Sequence, residues 1–353
     1  MRVLWLDQYD ETQHAQVGGK CASLGAMIAA GLPVPPAFAV TVDAFKESMR
    51  QGGADERLKD ALRSIDISDV DALRSRAEEI QAIVRSVKPA PALADAVREA
   101  YGSLCERLGT DVPVAVRSSA TAEDLPGASF AGEHDTYLWV RGADAVLAKM
   151  VECWASLFTD RAIAYREEMK FPHDAVFMSV GVQQMVEPRV SGVAMTLNPV
   201  NGDRSKIAID AAWGLGESVV SGEVTPDHYV IDKIVFEIVG RTVSKKELEV
   251  VVVDHAVMRR PLEGERAEAS CLTDDEVKAV ARLARKAEKH FGRPQDVEWA
   301  IDGEAGAPVV HLLQSRPETV WSNKPRTSVS AGVKGGLESV VSTLLSPIRV
   351  RKP

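Results

Sequence analysis

Apolar residues recur at three-and-four spacing, with charges between them, over residues 69–87 and 92–108. That period predicts two amphipathic helices serving as scaffold. A helical pattern also covers residues 143–169. Thr273-Asp-Asp-Glu276 reads as a capping box opening a helix that runs to about His290. Between these lie short apolar runs of strand length at residues 112–117, 176–186, 192–197, 206–211, 228–231, 235–239 and 248–253. Two more, 297–301 and 309–314, flank a glycine-containing turn at 303–306 and read as a hairpin. Near the start, residues 17–25 lead into an apolar helical stretch to Ala30, and the prolines of 31–36 force a turn or extended chain. A short helix and then a strand around 37–42 are expected next. Residues 118–137, rich in hydroxyls and glycine, read as a long functional loop. Beyond Pro317 the chain turns polar and glycine-rich, which predicts an arm or linker. The sum is a mixed α and β chain without internal repeats.

At 353 residues the chain is long enough for two domains. Hydrophobic residues at 45% and charged residues at 26% argue against wholesale disorder and against a membrane bundle. A net charge of -9 provides no positive field for a polyanion, which argues against a nucleic-acid partner. Cys21, Cys105, Cys153 and Cys271 lie far apart, with neither zinc-type spacing nor the density of a disulfide framework. No apolar run approaches the ~20 residues of a membrane span, and residues 1–13 turn acidic at Asp7. The expectation is a cytoplasmic protein with no membrane contact.

Candidate chemistry concentrates in the hairpin. If its strands pair about the turn, Glu298 and Gln314 face each other and share one side, with Arg316 returning to that side two residues on. Trp299 and Ile301 then point to the opposite, buried face, as do His311 and Leu313. A carboxylate and an amide oxygen suit a hard cation such as Mg²⁺ when phosphates and water complete its octahedron, and Arg316 would hold a phosphate oxygen. A solvated hairpin face carrying a cross-strand salt bridge fits the same residues. Gly18-Gly19-Lys20 offers close backbone approach and a counter-charge for phosphate, or a plain turn; its spacing is not that of the G-x-x-x-x-G-K-[ST] loop. Arg117, at a strand end, is either a phosphate clamp or a buried ion pair with Glu123 or Asp124. The small-residue stretch Ser129 to Thr136, with Gly127 and Gly132 as flexible points, has backbone N–H groups that could cover phosphates, and many surface turns share its composition. Residues 182–186 form either a core strand or a strand end where backbone could read an adenine edge. Glu217, after the Gly214 to Gly216 turn, could bond a ribose or a cation. His134, His173 and His228 lack metal or nucleophile spacing and read as structural or surface groups.

In this order, VGGKCASLGAM with GLPVPPAFAVT, VAVRSSATAEDLPGASFAGEHDTYL, VSGVAMTLNPV, WGLGESVVSGEVTPDHYV, and DVEWAIDG with LLQSRPET resemble the nucleotide-binding domain of the phosphoenolpyruvate synthase and pyruvate phosphate dikinase family, also found in rifampin phosphotransferases. The resemblance runs from about residue 14 to 320. It implies an α+β ATP-grasp fold with ATP between two lobes, an N-terminal lobe at 1–188 and a C-terminal lobe at 189–320, followed by a tail at 321–353. It implies that Lys20 and Arg117 bind ATP phosphates, that Gly132 to Thr136 belong to a phosphate-covering loop, and that Gln183, Met185 and Val186 approach the adenine. Glu217 joins the nucleotide set, Glu298 and Gln314 are the Mg²⁺ ligands, and Arg316 is a phosphate clamp. Lys20, Arg117 and Arg316 then carry the catalysis.

In that family a separate swivelling domain bears a histidine in a T-S-H-A-like segment. Here His14, His134, His173, His228, His255, His290 and His311 all lie outside such a context. The chain therefore resembles the ATP-handling part of a split dikinase, such as the smaller subunit of phenylphosphate synthase. That implies a hetero-oligomer: a partner subunit or domain carries the phosphohistidine and phosphorylates a small-molecule hydroxyl or enol, a phenol among the candidates. The alternatives are a non-catalytic nucleotide-sensing module, a piece of a longer rifampin phosphotransferase-like enzyme, and a self-contained small-molecule kinase.

Overall fold

A computed structural model of the chain describes residues 1–63, 65, 67–121, 135–303 and 308–321. The first sheet is built from β1 (Val3–Trp5), β2 (Ala37–Val40), β3 (Val114–Ala120), β4 (Thr136–Val140) and β5 (Met178–Gln184), in the order β1-β2-β5-β3-β4. Next along the chain come β6 (Val190–Met195), β7 (Lys206–Trp213), β8 (Asp227–Asp232) and β9 (Ile238–Thr242), then a separate hairpin of β10 (Leu248–Val253) and β11 (Ala256–Pro261), and finally β12 (Gln295–Asp302) and β13 (Val309–Pro317). The second sheet has the order β13-β12-β6-β7-β8-β9. Its strand pairs are all antiparallel, as are those of the first sheet.

The helices are α1 (His14–Ala29), α2 (Val42–Gln51), α3 (Ala54–Leu62), α4 (Val70–Arg85), α5 (Pro91–Leu108), α6 (Ala143–Ser156), α7 (Asp160–Glu168), two single turns α8 (Glu217–Val220) and α9 (Glu265–Glu268), and α10 (Asp274–Phe291). Where a helix carries its own punctuation it falls where the periodicity predicts. In α4 the Asp69 carboxylate accepts from the Asp71 and Ala72 N–H groups, and Leu73, Ala77, Ile80 and Val84 are buried on one stripe. In α10 the Thr273 hydroxyl accepts from Glu276 N–H while the Glu276 carboxylate accepts from Thr273 N–H, and Gly292 closes the helix in the left-handed conformation.

Other elements depart from the expectation. The strand at 37–40 follows the proline segment without an intervening helix, because all four of its residues are buried and paired to β1 and β5; the helix, α2, comes after it, capped by Thr41. The stretch 143–169 is two helices, separated at 157–159 and restarted by the Thr159 hydroxyl. Ser118, Ser119 and Ala120, read as loop, continue β3 in register with β5, and Thr136 and Tyr137 open β4. The strand expected at 235–239 begins at Ile238, since the Asp232 carboxylate accepts from the Ile234 and Val235 N–H groups and holds them in a turn. Residues 122–134 and 322–353, including Glu123, Asp124, Gly127, Gly132 and the polar tail, lie outside the described residues.

Two apolar cores form. One lies between the first sheet and α2 to α7. The second lies under the second sheet, against α10, and draws in Leu4 and Leu6, the α1 residues Val17, Cys21, Leu24 and Met27, and Ala37 and Ala39 of β2. Helix α1 packs on β3 and β5 of one sheet and β13 of the other, and the Ser23 hydroxyl donates to Ser315 O at 2.6 Å. Residues 1–318 accordingly make one unit. Among the described residues no helix is long and apolar enough to cross a membrane.

Candidate functional site

Arg117 leaves β3 where that strand lies between β4 and β5, and its guanidinium reaches the second sheet. Nη1 donates to Gln183 Oε1 at 3.2 Å and to Leu313 O at 3.1 Å; Nη2 donates to Glu298 Oε2 at 3.2 Å and to Gln314 Oε1. Arg316 Nη2 approaches the other Glu298 oxygen at 3.6 Å. A carboxylate facing Arg117 is thus Glu298, on the far sheet; the expected partners Glu123 and Asp124 lie outside the described residues. Arg117 and Glu298 side chains are only 14% and 22% exposed, so their attraction is weakly screened. Arg117 Nε and Gln183 Nε2 are buried without a hydrogen-bond partner among the described residues. Two such donors beside one cavity mark a place suited to anionic oxygen.

The hairpin explains this convergence. Glu298 pairs with Gln314 and Asp296 with Arg316, so the acid, the amide and the second arginine share a face as expected. The partner of Trp299, however, is Leu312, because a bulge shifts the register between Glu298 and Trp299. Leu312 is therefore in the core beside Trp299 and Ile301, while Leu313 lies at the cavity and His311 pairs with Ala300 and bonds Asp302. The buried positions assigned to His311 and Leu313 are corrected accordingly.

Lys20 is placed by a break in α1. Gly18 has φ +69°, and a Cβ there would meet Ser119 O at 2.3 Å. The Ser119 hydroxyl fills the break, donating to Val17 O and accepting from Cys21 N–H. Lys20 Nζ then donates to Ser118 O at 3.3 Å, one residue after Arg117. The expected turn is thus a kink that presses α1 against β3.

A cavity of about 640 Å³ adjoins Arg117, Gln183 and Glu298, within the size range of small-molecule sites. Apolar side chains of Leu138, Val140, Val186, Leu215 and Val220 line it, and so do Thr136, Met185 and Glu217. Thr136 pairs with Arg117 across β3 and β4. Glu217, the first residue of α8, accepts from Arg259 Nη2 at 3.3 Å. Met185 N–H donates to Pro113 O at 2.9 Å, so this amide is engaged within the protein. Gln183 bonds Arg117 through its side chain and belongs with the charged group. Lys20, Gln314 and Arg316 are not among the residues that line it.

Asp296 was not singled out from the sequence. It lies two residues before Glu298 on the same strand face, and its Oδ1 is buried without a partner among the described residues. Burial, helped by Glu318, pushes its carboxyl up to about 6 against the pull of Arg316. The period of two applied backward from Glu298 would have found it. Lys149 and Arg259 also line the cavity and carried no motif. His173 bonds Arg166 and Glu167, and His228 bonds Asp210 at 2.7 Å, while His134 lies outside the described residues.

Glu298 Oε2 and Gln314 Oε1 both reach Arg117 Nη2. Two hard oxygens converging on one point fit a divalent cation that takes its remaining ligands from phosphate and water. Among the described residues no group of three or more His, Cys, Asp or Glu side chains is placed to hold a metal ion.

Two sheets that meet at a cavity bearing arginines, a carboxylate and an amide define an α+β nucleotide-binding domain of the ATP-grasp fold. The family described as pyruvate phosphate dikinase, AMP/ATP-binding domain, matches residues 14–334, and the chain belongs to that family. A probable phosphoenolpyruvate synthase of Methanocaldococcus jannaschii is 43% identical over 320 residues, covering 90% of this chain and 26% of that protein. The phosphoenolpyruvate synthase of Aeropyrum pernix is 42% identical over 351 residues, covering 91% and 43%. The chain thus spans less than half the length of these relatives. The solved D-alanyl-alanine synthetase A of Vibrio cholerae covers 84% of this chain and 56% of its own at 12% identity, with a TM-score of 0.32, a likeness too distant to support an argument.

Proposed function

We propose that this chain is the nucleotide-handling part of a phosphoenolpyruvate synthase-like dikinase. It cleaves ATP to AMP and passes the pyrophosphoryl group to a histidine on a separate subunit or domain. The imidazole nitrogen attacks the β-phosphorus and AMP leaves; loss of the γ-phosphoryl to water then leaves a phosphohistidine. That group finally phosphorylates a small-molecule hydroxyl or enol, a phenol being one candidate. The observation that carries this reading is the convergence of Arg117, Glu298, Gln314 and Arg316 from two sheets into one contacting group, of which Arg117 and Glu298 line the cavity.

Phosphoryl transfer needs positioning and charge neutralisation more than covalent help, and these residues supply both. Arg117 offers a bidentate fork to phosphate oxygens, Arg316 a second positive charge, and Lys20, held at Ser118 O next to Arg117 in the chain, a third. The apolar wall excludes water from the base and ribose. Glu298 and Gln314 would hold Mg²⁺, which would neutralise charge on the phosphates.

Calorimetric titration with ATP, with and without Mg²⁺, tests the site. Glu298→Ala and Gln314→Ala should each lose most of the Mg²⁺-dependent part of the affinity and keep the wild-type circular dichroism spectrum. Wild-type affinity in either variant removes that residue from the metal role. ATP labelled at the β-phosphorus tests the acceptor: label should stay off this chain and appear on a histidine-bearing partner. Stoichiometric acid-labile label on this chain alone refutes a separate acceptor.

A further inference from the structure

The Arg117 guanidinium spans four acceptors, and the two on Nη2 are the oxygens assigned to the cation. One nitrogen within bonding reach of both marks the point where they converge, and a positive group already stands there. We propose that Arg117 occupies the place of the divalent cation in the nucleotide-free chain. Free cation then finds no site, and the metal–nucleotide complex enters by exchange. Phosphate oxygens take the guanidinium as the cation takes Glu298 and Gln314. This deepens the proposed function and rests on its assignment of those two residues as metal ligands.

The charges make the exchange concerted. A cation arriving alone would have to push a guanidinium off Glu298, its one carboxylate partner among the described residues, in a site where Arg117 is 14% exposed and Nε already lacks a partner among those residues. That would leave a buried charge uncompensated while adding two positive charges beside Arg316. Phosphate removes the obstacle by giving the released fork two anionic oxygens. Arg316 holds the second Glu298 oxygen at 3.6 Å, so the carboxylate stays aimed while its other oxygen changes partner. Cation and nucleotide therefore bind with strong positive coupling, each removing the cost of the other's entry.

Mn²⁺ binding to the nucleotide-free chain, followed by electron paramagnetic resonance, tests this directly. Wild type should bind Mn²⁺ weakly. Arg117→Met should bind it at least about tenfold more tightly, since a competing unit charge has left a poorly screened site. Arg117→Lys, whose ammonium cannot reproduce the fork, should fall between, and adding Glu298→Gln to Arg117→Met should abolish the gain. Should both Arg117 variants bind Mn²⁺ no better than wild type while Glu298→Ala still weakens Mg²⁺-dependent ATP binding, the exchange is wrong and the metal assignment stands. If Glu298→Ala leaves that binding untouched, the assignment fails first. Wild type decides the matter if the variants do not fold: the ¹⁵N guanidinium resonance of Arg117 should move on adding ATP with Mg²⁺ and stay fixed with Mg²⁺ alone. Movement with Mg²⁺ alone overturns the proposal.

Discussion

The Glu298 carboxylate begins a row that crosses the second sheet. It pairs in register with Val193, Val193 with Asp210, and Asp210 with His228, so the His228 imidazole and the Asp210 carboxylate lie on the face that carries the site. The hydrogen bond that His228 donates to the Asp210 carboxylate raises the His228 pKa above the ordinary 6.5 in spite of partial burial. A histidine whose folded pKa is raised stabilises the fold fully below its ordinary value, and that contribution is lost as pH rises through the folded value. Asp210→Asn should therefore flatten the fall in stability between about pH 6 and pH 8. Because His228 is 38% exposed, the difference should stay below about 1 kcal/mol. Urea denaturation of both proteins across that range checks it, and an identical slope would show the pair to be energetically silent. Glu298, Gln314 and Arg316 were legible as a group because one short hairpin carries them all. Asp296 announces itself only through burial, which depends on what the rest of the chain packs against it.

At the scale of elements, Gly18 joins helix geometry to the site. Its φ of +69° is costly for any other residue, and Ser119 O leaves no room for a Cβ. Gly18→Ala should cost roughly 2–4 kcal/mol and lower ATP affinity as well, since the segment bearing Lys20 must move off β3. Gly31 provides the control: its φ is +68° with nothing within 4 Å of the added Cβ, so Gly31→Ala should cost only about 1 kcal/mol and leave ATP binding unchanged. Equal losses in the two variants would mean that the contact with Ser119 is unimportant. Thr273→Ala should cost about 1 kcal/mol in a chemical melt, by removing half of the capping box of α10. These cases also show which elements a sequence can disclose. The capping box of α10 is local, and so was readable. The extension of β3 through Ser118 to Ala120 is imposed by β5, which lies about sixty residues on, and hydroxyl-rich sequence gives no sign of it. The bulge beside Glu298 was equally hidden, since alternation alone assumes an unbroken register.

For the whole molecule, the lobe boundary expected at residue 188 separates the two sheets but not the two cores. Leu4, Leu6, Val17, Leu24, Met27 and Leu32 precede that boundary and are buried with the second sheet and α10. At about 1.5–3 kcal/mol for each such side chain, their removal is comparable with the 5–15 kcal/mol that stabilises a typical domain. Residues 189–318 alone should therefore be expanded, bind a hydrophobic dye and melt without cooperativity, whereas residues 1–318 should unfold in one transition by fluorescence and circular dichroism alike. Dispersed amide resonances and a cooperative melt from 189–318 would show that the lobes are independent and that α1 merely lies between them. Function follows the same division: Lys20, Arg117 and Gln183 lie before the cut, Glu298, Gln314 and Arg316 after it. Neither fragment should bind ATP by calorimetry, and an equimolar mixture should recover binding only to the extent that residues 1–188 bring α1 back into the second core.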